Sequence, residues 1–364
     1  MPADPQPTLA VVGINFREAP TTWRAAVAAY DRGADSPTQK LLAGGFAKGV
    51  VRIETCSRSE WVISAEQPKW AAELLLSSLL TAVPEARRHH FHLRSGVAAA
   101  KYLFRVASGM DSLAEGESAV ARQVLRAFSE AHERKHTDRT LNLAWNELGK
   151  LAHHRRRLNL VRPGIGVQRL VLDELRERQV QQVVLFGLGQ IGTSITELLR
   201  GAGIAVETFR RATLPAFSAA LESAPVVIFA SGAPMPWCDL PERPGIAVDV
   251  GSPPQIRQRN GFTVIGLDAL LSRPGCQMSD DEFERLDTLV EVQAVAFIER
   301  LSAPSRRGIG DLKEQHDSFL HDLLPKLLAS ADQPERVREL RRELQQFTHT
   351  LTVKARQRVR GDET

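Results

Sequence analysis

The order of apolar and polar residues changes along the chain. Residues 8–15 (TLAVVGIN) and 48–53 (KGVVRI) are short, rich in β-branched side chains and closed by polar residues, so they predict two strands. From residue 72 the apolar spacing takes the helical period, and the predicted helices cover residues 72–80, 97–107, 119–135 and 141–160. The pattern predicts an α+β domain over residues 1–160.

A second pattern begins at Gln182. The stretch VVLFGLGQIGTSITELLRGAG is a buried strand, a glycine-rich turn, a helix and a glycine stop. Further strands are predicted over residues 204–209, 224–231, 245–251 and 262–267. Strands that alternate with helices or crossovers predict a doubly wound parallel sheet, here over residues 161–278. The chain as a whole is therefore a multidomain α/β protein.

Strand patterns end near Ser279. Apolar positions at helical spacing follow, namely Leu286, Val290, Ala294, Phe297 and Leu301, then a stripe over residues 311–329, and then Val337, Leu340, Leu344, Phe347 and Leu351. The last set has heptad spacing over about two heptads. We expect an all-α domain over residues 279–364 that pairs two copies of the chain; helix packing within one chain is the alternative.

Composition restricts the class of protein. Of 364 residues, 43% are hydrophobic and 25% charged, as in soluble globular proteins. No apolar run reaches the roughly 20 residues of a membrane helix, and the first ten residues lack a secretion signal. The three cysteines, Cys56, Cys238 and Cys276, have no close spacing, which disfavours a disulfide framework or a CxxC metal site. We expect a cytoplasmic protein without a metal centre.

Basic residues are concentrated in one segment. The net charge is +4, but residues 121–170 contain eleven Lys or Arg against four Asp or Glu. A basic stripe can follow the phosphates of a nucleic acid, and Arg155, Arg156 and Arg157 are its densest part. A solvated helix face is the alternative.

Cys56 lies in RIETCSRSEW (residues 52–61), where the second predicted strand gives way to polar residues. A buried structural cysteine packs as a small hydrophobe and normally has apolar neighbours. Here the neighbours carry hydroxyl groups and charges. From residue type alone, an inert cysteine at a strand end is the simpler interpretation, and a reactive thiol is the alternative.

The glycine-rich turn predicts a nucleotide site. Gly187, Gly189 and Gly192 form G-x-G-x-x-G between a strand and a helix, where the helix start favours a pyrophosphate; Gln190 and Ile191 belong to the same turn. Arg210 and Arg211 follow the next strand and suit a 2′-phosphate, so NADPH is preferred over NADH, although Glu207 in that strand could reverse the preference. Ser231 and Gly232 follow a later strand, where a nicotinamide ribose would lie.

Five motifs over nearly the whole chain resemble the glutamyl-tRNA reductase family. Four of them are VVGINFREAPTTWR (11–24), RIETCSRSE (52–60), YLFRVASGMDSLAEGES (102–118) and VLFGLGQIG (184–192), and a fifth motif is ASGAP (230–234). The order of the three segments also matches the family. The resemblance implies an NADPH-dependent enzyme of porphyrin biosynthesis, with a thiol domain, a Rossmann domain and a helical dimerisation domain.

The resemblance also implies a role for the polar stretch. The Cys56 thiolate would attack the ester of an aminoacyl-tRNA, release the tRNA and leave a thioester that accepts hydride. Arg58 matches the arginine that holds a substrate carboxylate and could lower the pKa of Cys56. Further substrate-binding positions are Thr55, Glu60, Tyr102, Ser112 and Glu117. RNA would deliver its 3′ end near residues 155–157.

Several positions depart from the family pattern. Tyr102 replaces the family histidine, Phe16 replaces a second histidine, Ser57 an asparagine and Ala119 a glutamine. Tyrosine, with a pKa near 10, is no general base at neutral pH. Changed polar groups should shift substrate preference.

Three hypotheses follow from these departures. The chain is a glutamyl-tRNA reductase, a reductase of another charged tRNA in a specialised biosynthetic pathway, or a non-catalytic protein that binds tRNA or a partner protein. Expected partners are the aminoacyl-tRNA, a second copy of the chain and an enzyme that takes the aldehyde. DNA and membranes are not expected.

Overall fold

The computed structural model describes residues 9–32, 36–112, 115–161, 166–273 and 278–302, with three helical positions at Glu339, Glu343 and Gln346. The elements of the first domain are β1 (Leu9–Asn15), α1 (Thr21–Tyr30), α2 (Pro37–Ala43), β2 (Gly49–Glu54), β3 (Arg58–Ser64), α3 (Pro68–Ala82), β4 (His92–Ser95), α4 (Val97–Ala107), α5 (Ser118–Glu133) and α6 (Arg139–Arg157). The predicted strands β1 and β2 and the four predicted helices are present. The predicted heptad positions and Cys276 lie outside the described residues.

The first domain is an antiparallel sheet between two layers of helices. The strand order is β2-β3-β1-β4, and β3 pairs with both predicted strands. Alternate side chains of β1 enter two different cores, so that Val12 packs against α1, α2 and α3 while Val11 packs against α4, α5 and α6. Both faces of β1 are buried, which explains its continuous apolar sequence.

The strand β3 was not predicted. Its sequence RSEWVIS opens with an arginine, a serine and a glutamate, yet all seven residues are buried. The polar ones are buried because they pair with each other and with residues from distant elements. The pattern of polar residues alone predicts a turn for such a segment.

The second domain has a five-stranded parallel sheet, as predicted. Its elements are α7 (Val167–Glu177), β5 (Gln182–Phe186), α8 (Gln190–Gly201), β6 (Ala205–Phe209), α9 (Leu214–Ser223), β7 (Val226–Phe229), β8 (Cys238–Asp239), β9 (Gly245–Asp249), β10 (Ile256–Gln258), β11 (Phe262–Gly266) and α10 (Leu267–Leu271). The strand order is β11-β9-β7-β5-β6, and β8 pairs with β10 separately. Helices cover both faces of the sheet. Because β5 lies between β6 and β7, the chain reverses direction across the sheet there, and ligands of such sheets bind at that point.

The last described helix, α11 (Asp280–Ser302), packs on the first domain. Its stripe of Leu286, Val290, Ala294 and Phe297 is buried in the core that α4 and α6 also form. Arg105 of α4 pairs with Asp287 at 2.7 Å. This part of the helical segment is thus packed within one chain, and the dimerising role of the remainder stays a prediction. In the described part of the chain no helix is long and apolar enough to cross a bilayer.

Candidate active site

The turn that carries Cys56 connects β2 to β3. The Thr55 N–H donates to the carbonyl of Arg58 (2.9 Å), and the Ser57 N–H donates to Thr55 Oγ1 (3.2 Å). Arg24 donates from helix α1 to the carbonyl of Cys56 (3.1 Å). These bonds fix the turn and leave the Cys56 side chain half-buried at the end of the sheet.

Burial, together with the charge of Glu117, raises the pKa of the Cys56 thiol to about 11, although Arg24 and Arg58 act to lower it. The expected effect of Arg58 therefore has the right direction but is outweighed. The thiol is protonated near neutral pH, so a nucleophilic role requires a group that takes its proton.

Arg58, Glu60 and Tyr102 form one buried cluster. Arg58 is 1% exposed and donates to Glu60 Oε1 (3.1 Å), to the Tyr102 hydroxyl (3.3 Å) and to the carbonyl of Asp111 (2.8 Å). The Tyr102 hydroxyl donates to Glu60 Oε1 (2.6 Å), and burial raises the pKa of Tyr102. The guanidinium thus already has a carboxylate partner, while its Nε has none. Tyr102 acts here as a hydrogen-bond donor to Glu60.

His92 belongs to the same cluster, which the sequence did not predict. Its Nε2 lies 3.5 Å from Glu60 Oε1 and its Nδ1 lies 3.9 Å from Glu18, while its ring centroid is 5.0 Å from that of Tyr102. Gly13 of β1 is the register partner of both Glu60 and His92, and a Cβ there would meet the Glu60 Cα at 2.6 Å. The glycine therefore lets the two side chains meet across the middle strand. Among the described residues no group of His, Cys, Asp or Glu could hold a metal ion.

Ser112 and Glu117 are two further predicted substrate-binding positions. Ser112 is buried, and its Oγ has no hydrogen-bond partner. Glu117 precedes helix α5, and burial raises its pKa to about 7 although the charge of Arg122 acts to lower it. A Cβ on Gly166 would lie 2.4 Å from Glu117 Oε1, so this glycine leaves the space that the carboxylate occupies. Glu117 is thus a carboxyl group that can exchange a proton near neutral pH and whose charge acts on Cys56.

The glycine-rich turn has the close contacts that its sequence predicts. Gly187 has a φ of +110°, and a Cβ there would lie 2.6 Å from the backbone of Ala230. A Cβ on Gly192 would lie 1.8 Å from the Gly187 carbonyl oxygen, whereas the space around Gly189 is open. Gly189 precedes helix α8, whose first residues are Gln190 and Ile191, and no side chain caps that helix. Open space before uncapped N–H groups fits a pyrophosphate.

Gln255 organises the neighbouring turn and was not predicted. Its Oε1 accepts from the Ser231 hydroxyl (2.7 Å), the Ala233 N–H (3.3 Å) and the Trp237 indole (3.0 Å). Buried Asp249 accepts from the Gln255 N–H (2.6 Å) and thereby fixes the glutamine. The turn that includes Ser231 and Gly232 is therefore held from the segment after β9. No sequence motif marks that segment.

The second strand of the sheet ends as predicted. Arg210 and Arg211 follow β6 directly and are exposed, and Glu207 is the third of the strand's five residues. Their side chains are at the edge where β5 and the glycine-rich turn also end. Both arginines can reach a ligand from solvent.

The two halves of the predicted site lie together. Cys56 and Phe16 of the first domain pack against the same apolar cluster of the second domain as Ile191 of the glycine-rich turn. Asp268 at the start of α10 accepts from the Thr21 N–H (2.7 Å) and hydroxyl (2.5 Å). The Cys56 thiol and the glycine-rich turn therefore lie at the same interface between the two domains, although about 130 residues separate them in sequence.

The structure corrects the prediction that Arg155 is part of an exposed basic stripe. It is 1% exposed and donates to the carbonyls of Gly116 (2.9 Å) and Leu160 (3.3 Å), so it does not lie on the outer surface. Arg156 and Arg157 are exposed on the same helix. One helical turn cannot present three consecutive side chains to solvent when one face packs inward.

The fold and the site define a class: a multidomain α/β protein in which a thiol on an antiparallel sheet adjoins a doubly wound parallel-sheet domain. Residues 12–157 match the family described as glutamyl-tRNAGlu reductase, N-terminal domain. The match covers the first domain of the chain. It also aligns with the solved structure of glutamyl-tRNA reductase from Methanopyrus kandleri, at 19% identity and a TM-score of 0.44 over 98% of this chain and 99% of that one.

Proposed function

We propose that this protein is an NADPH-dependent reductase of an aminoacyl-tRNA, acting through a thioester on Cys56. The observation that carries the proposal is the shared interface of the thiol and the glycine-rich turn. An acyl group held on Cys56 would lie next to the domain that binds a nucleotide. The match of residues 12–157 to the N-terminal domain of glutamyl-tRNA reductases supports an RNA ester as the source of that acyl group.

The first step is acyl transfer. The Cys56 sulfur attacks the ester carbonyl, the bond to the ribose oxygen breaks, and the RNA leaves with a proton on that oxygen. Because burial raises the pKa of the thiol to about 11, the attack needs a base. We assign that role to Glu117, whose pKa of about 7 is near the operating pH and whose charge already acts on Cys56.

The second step reduces the thioester. NADPH, when bound, supplies the hydride. The chain's own part is to hold the acyl carbon on Cys56 and to bind the cofactor with Gly187, Gly189 and Gly192, and its 2′-phosphate with Arg210 and Arg211. The carbon–sulfur bond of the reduced adduct on Cys56 then breaks and the aldehyde leaves, and the Cys56 thiolate takes a proton from solvent, which regenerates the thiol. Ser231 and Gly232 are assigned to the nicotinamide ribose.

The amino acid is a separate question. Arg58 is the proposed partner of a substrate carboxylate. It already pairs with the Glu60 carboxylate, and its contact with the Tyr102 hydroxyl is to an uncharged group. Only its Nε lacks a partner. This arrangement favours a charged tRNA other than glutamyl-tRNA as the second candidate substrate, with Thr55 and Ser112 as further contacts.

One experiment tests the function and the amino acid together. The protein is incubated with NADPH and a panel of labelled aminoacyl-tRNAs, and released tRNA and aldehyde are both measured. We expect aldehyde from one charged tRNA, and its loss in Cys56→Ser and Cys56→Ala. Cys238→Ala, at a buried cysteine of the second domain, is the matched control and should keep activity. Aldehyde formation that survives in Cys56→Ala would refute the proposal, and no reaction with any tRNA would favour a non-catalytic binding protein.

Two partners remain proposals of the same kind. A homodimer through the last residues and a downstream enzyme that takes the aldehyde both follow from the family resemblance. Sedimentation of the full chain measures the first directly, and a chain that stays monomeric at all concentrations would refute it.

A further inference from the structure

A cleft opens between helices α5 and α6, beside the candidate active site. It is a small cleft, partly open to solvent, and Ser118, Arg122, Arg155 and Arg156 contribute its polar lining. Among the described residues that line it, none is acidic. Three guanidinium groups around one opening are an unusual arrangement unless an anion enters it, because like charges repel.

Arg155 is the buried part of this cleft. It is 1% exposed, its Nη2 donates to the carbonyls of Gly116 and Leu160, and its Nε has no hydrogen-bond partner. Burial and the charge of Arg156 lower its pKa to about 10, so it remains charged at neutral pH. A buried charge is costly without a counter-ion. Both carbonyls accept from the same nitrogen of the guanidinium, and no anionic partner is present among the described residues.

The cleft also includes the start of a long helix. Helix α5 has 16 residues, no side chain caps its first turn, and that turn contains no acidic residue. Ser118 is its first residue and lines the cleft. Uncapped N–H groups and the helix dipole favour an anion at this end. Backbone donors and the unpartnered Arg155 Nε therefore point to the same kind of ligand.

We propose that this cleft binds a phosphate group, and that the group is a phosphodiester near the 3′ end of the substrate RNA. That this RNA is a substrate rests on the proposed function. Glu117, whose charge acts on Cys56, directly precedes Ser118 of the cleft, so the cleft and the thiol have this residue as a common neighbour. In an aminoacyl-tRNA the ester is on the terminal ribose, and the phosphodiesters next to that ribose are the nearest anions. A phosphate held in the cleft would position the ester for attack.

The test measures equilibrium binding of an uncharged acceptor-stem hairpin that ends in CCA. Arg155 supports the fold through its carbonyl bonds, so the exposed arginines are changed instead. We expect Arg156→Ala and Arg122→Ala each to weaken binding about tenfold and to reduce the salt slope by about 0.7, the value for one contact to single-stranded RNA. Arg157→Ala and Arg126→Ala, on the same two helices but outside the cleft, are matched controls and should change both quantities much less.

A second hairpin carries neutral methylphosphonates at its last two linkages. Wild-type protein should bind it more weakly, and Arg156→Ala should cause no further loss. Equal losses in Arg156→Ala and Arg157→Ala, or a loss that persists unchanged on the neutral hairpin, would overturn the proposal. If inorganic phosphate binds and needs Arg156 while all proteins bind both hairpins alike, the site belongs to free phosphate and the RNA assignment is wrong.

These measurements do not involve reduction, so they are independent of the Cys56 experiment. Cys56-dependent aldehyde formation together with unchanged binding in the cleft variants would refute the cleft and keep the function. Loss of binding in those variants without any aldehyde would keep the cleft and refute the function.

Discussion

Cys56 is surrounded by two arginines and one carboxylate whose charges act on its thiol in opposite senses, and burial outweighs both arginines. With a pKa of about 11, roughly a thousandth of the thiol is ionised at pH 8. Glu117 affects the reactivity of Cys56 in two ways. Its negative charge suppresses the thiolate at equilibrium, yet its carboxylate is the proposed proton acceptor during catalysis. The two effects have opposite signs and can be separated.

Glu117→Gln should therefore raise one rate and lower another. Removal of the charge lowers the pKa of Cys56, so iodoacetamide should alkylate Cys56 faster at pH 9 than in the wild type. Loss of the base should slow acyl transfer about 10²- to 10⁴-fold and flatten its rise near pH 7. Glu133→Gln, at the exposed far end of the same helix, is the control and should leave both rates unchanged. If alkylation and acyl transfer fall together, Glu117 has only a structural role.

Tyr102→Phe tests the buried cluster. The variant removes the hydroxyl that donates to Glu60 at 2.6 Å and leaves the carboxylate short of a donor. A lost bond to a buried charged group lowers the free energy of unfolding by about 1.5–3 kcal/mol. Urea denaturation measures it, with Tyr30→Phe as control because the Tyr30 hydroxyl contacts only an exposed Thr81. Equal small changes in both variants would mean that the bond adds nothing.

Arg211→Ala addresses the cofactor. The residue follows β6 and is exposed, so its loss should not affect the fold. If it binds a 2′-phosphate, the variant loses affinity for NADPH and keeps its affinity for NADH. Fluorescence titration with both nucleotides measures the ratio, and equal losses for the two would contradict the assignment.

The residues of the site differ in whether the adjacent sequence is enough to predict their surroundings. The turn of Cys56 is local, because its own side chains close it, but the role of the thiol was predicted only through the family resemblance. The contact of His92 with Glu60 depends on strand register, since both are opposite Gly13 and lie far apart in sequence. The burial of Arg155 depends on which face of α6 packs inward. Neither register nor packing face is encoded in a short motif.

At the level of elements, the glycine-rich turn offers a test with an internal control. Gly189 has open space around it, so Gly189→Ala should fold like the wild type and lose nucleotide affinity, because the added methyl occupies the place of the pyrophosphate. Gly192→Ala should instead lower the melting temperature, because its Cβ would lie 1.8 Å from the Gly187 carbonyl oxygen. Calorimetry with and without NADPH distinguishes them. Unchanged affinity in Gly189→Ala would remove the turn from the cofactor site.

The elements also explain which parts of the fold were predictable. The parallel sheet was predicted because short, mostly apolar strands that end at glycine or polar turns alternate with helices or crossovers. β3 was missed because its buried arginine and glutamate satisfy each other, and a pattern of polar residues does not reveal such pairs. A central strand that contains buried polar pairs is therefore missed when strands are predicted from the apolar pattern.

At the level of the whole molecule, the catalytic proposal needs the thiol and the nucleotide domain to stay together. The described polar contacts between them converge on Asp268, which accepts from Thr21 twice and pairs with Arg24 at 3.2 Å. Arg24 in turn donates to the carbonyl of Cys56. One carboxylate of the second domain thus fixes the helix that supports the thiol turn.

Asp268→Ala should separate the two chemical steps. Acyl transfer uses only first-domain groups, and Arg24 keeps its bonds to Ala19 and Cys56, so release of RNA should be nearly unchanged. Hydride transfer needs the two domains in contact, so aldehyde formed per RNA released should fall several-fold. Single-turnover assays that count both products measure this ratio. Asp239→Ala, which breaks an exposed pair with Arg257 inside the second domain, should keep the wild-type ratio. If both variants behave alike, or if RNA release falls in step with aldehyde, Asp268 does not align the domains for the second step.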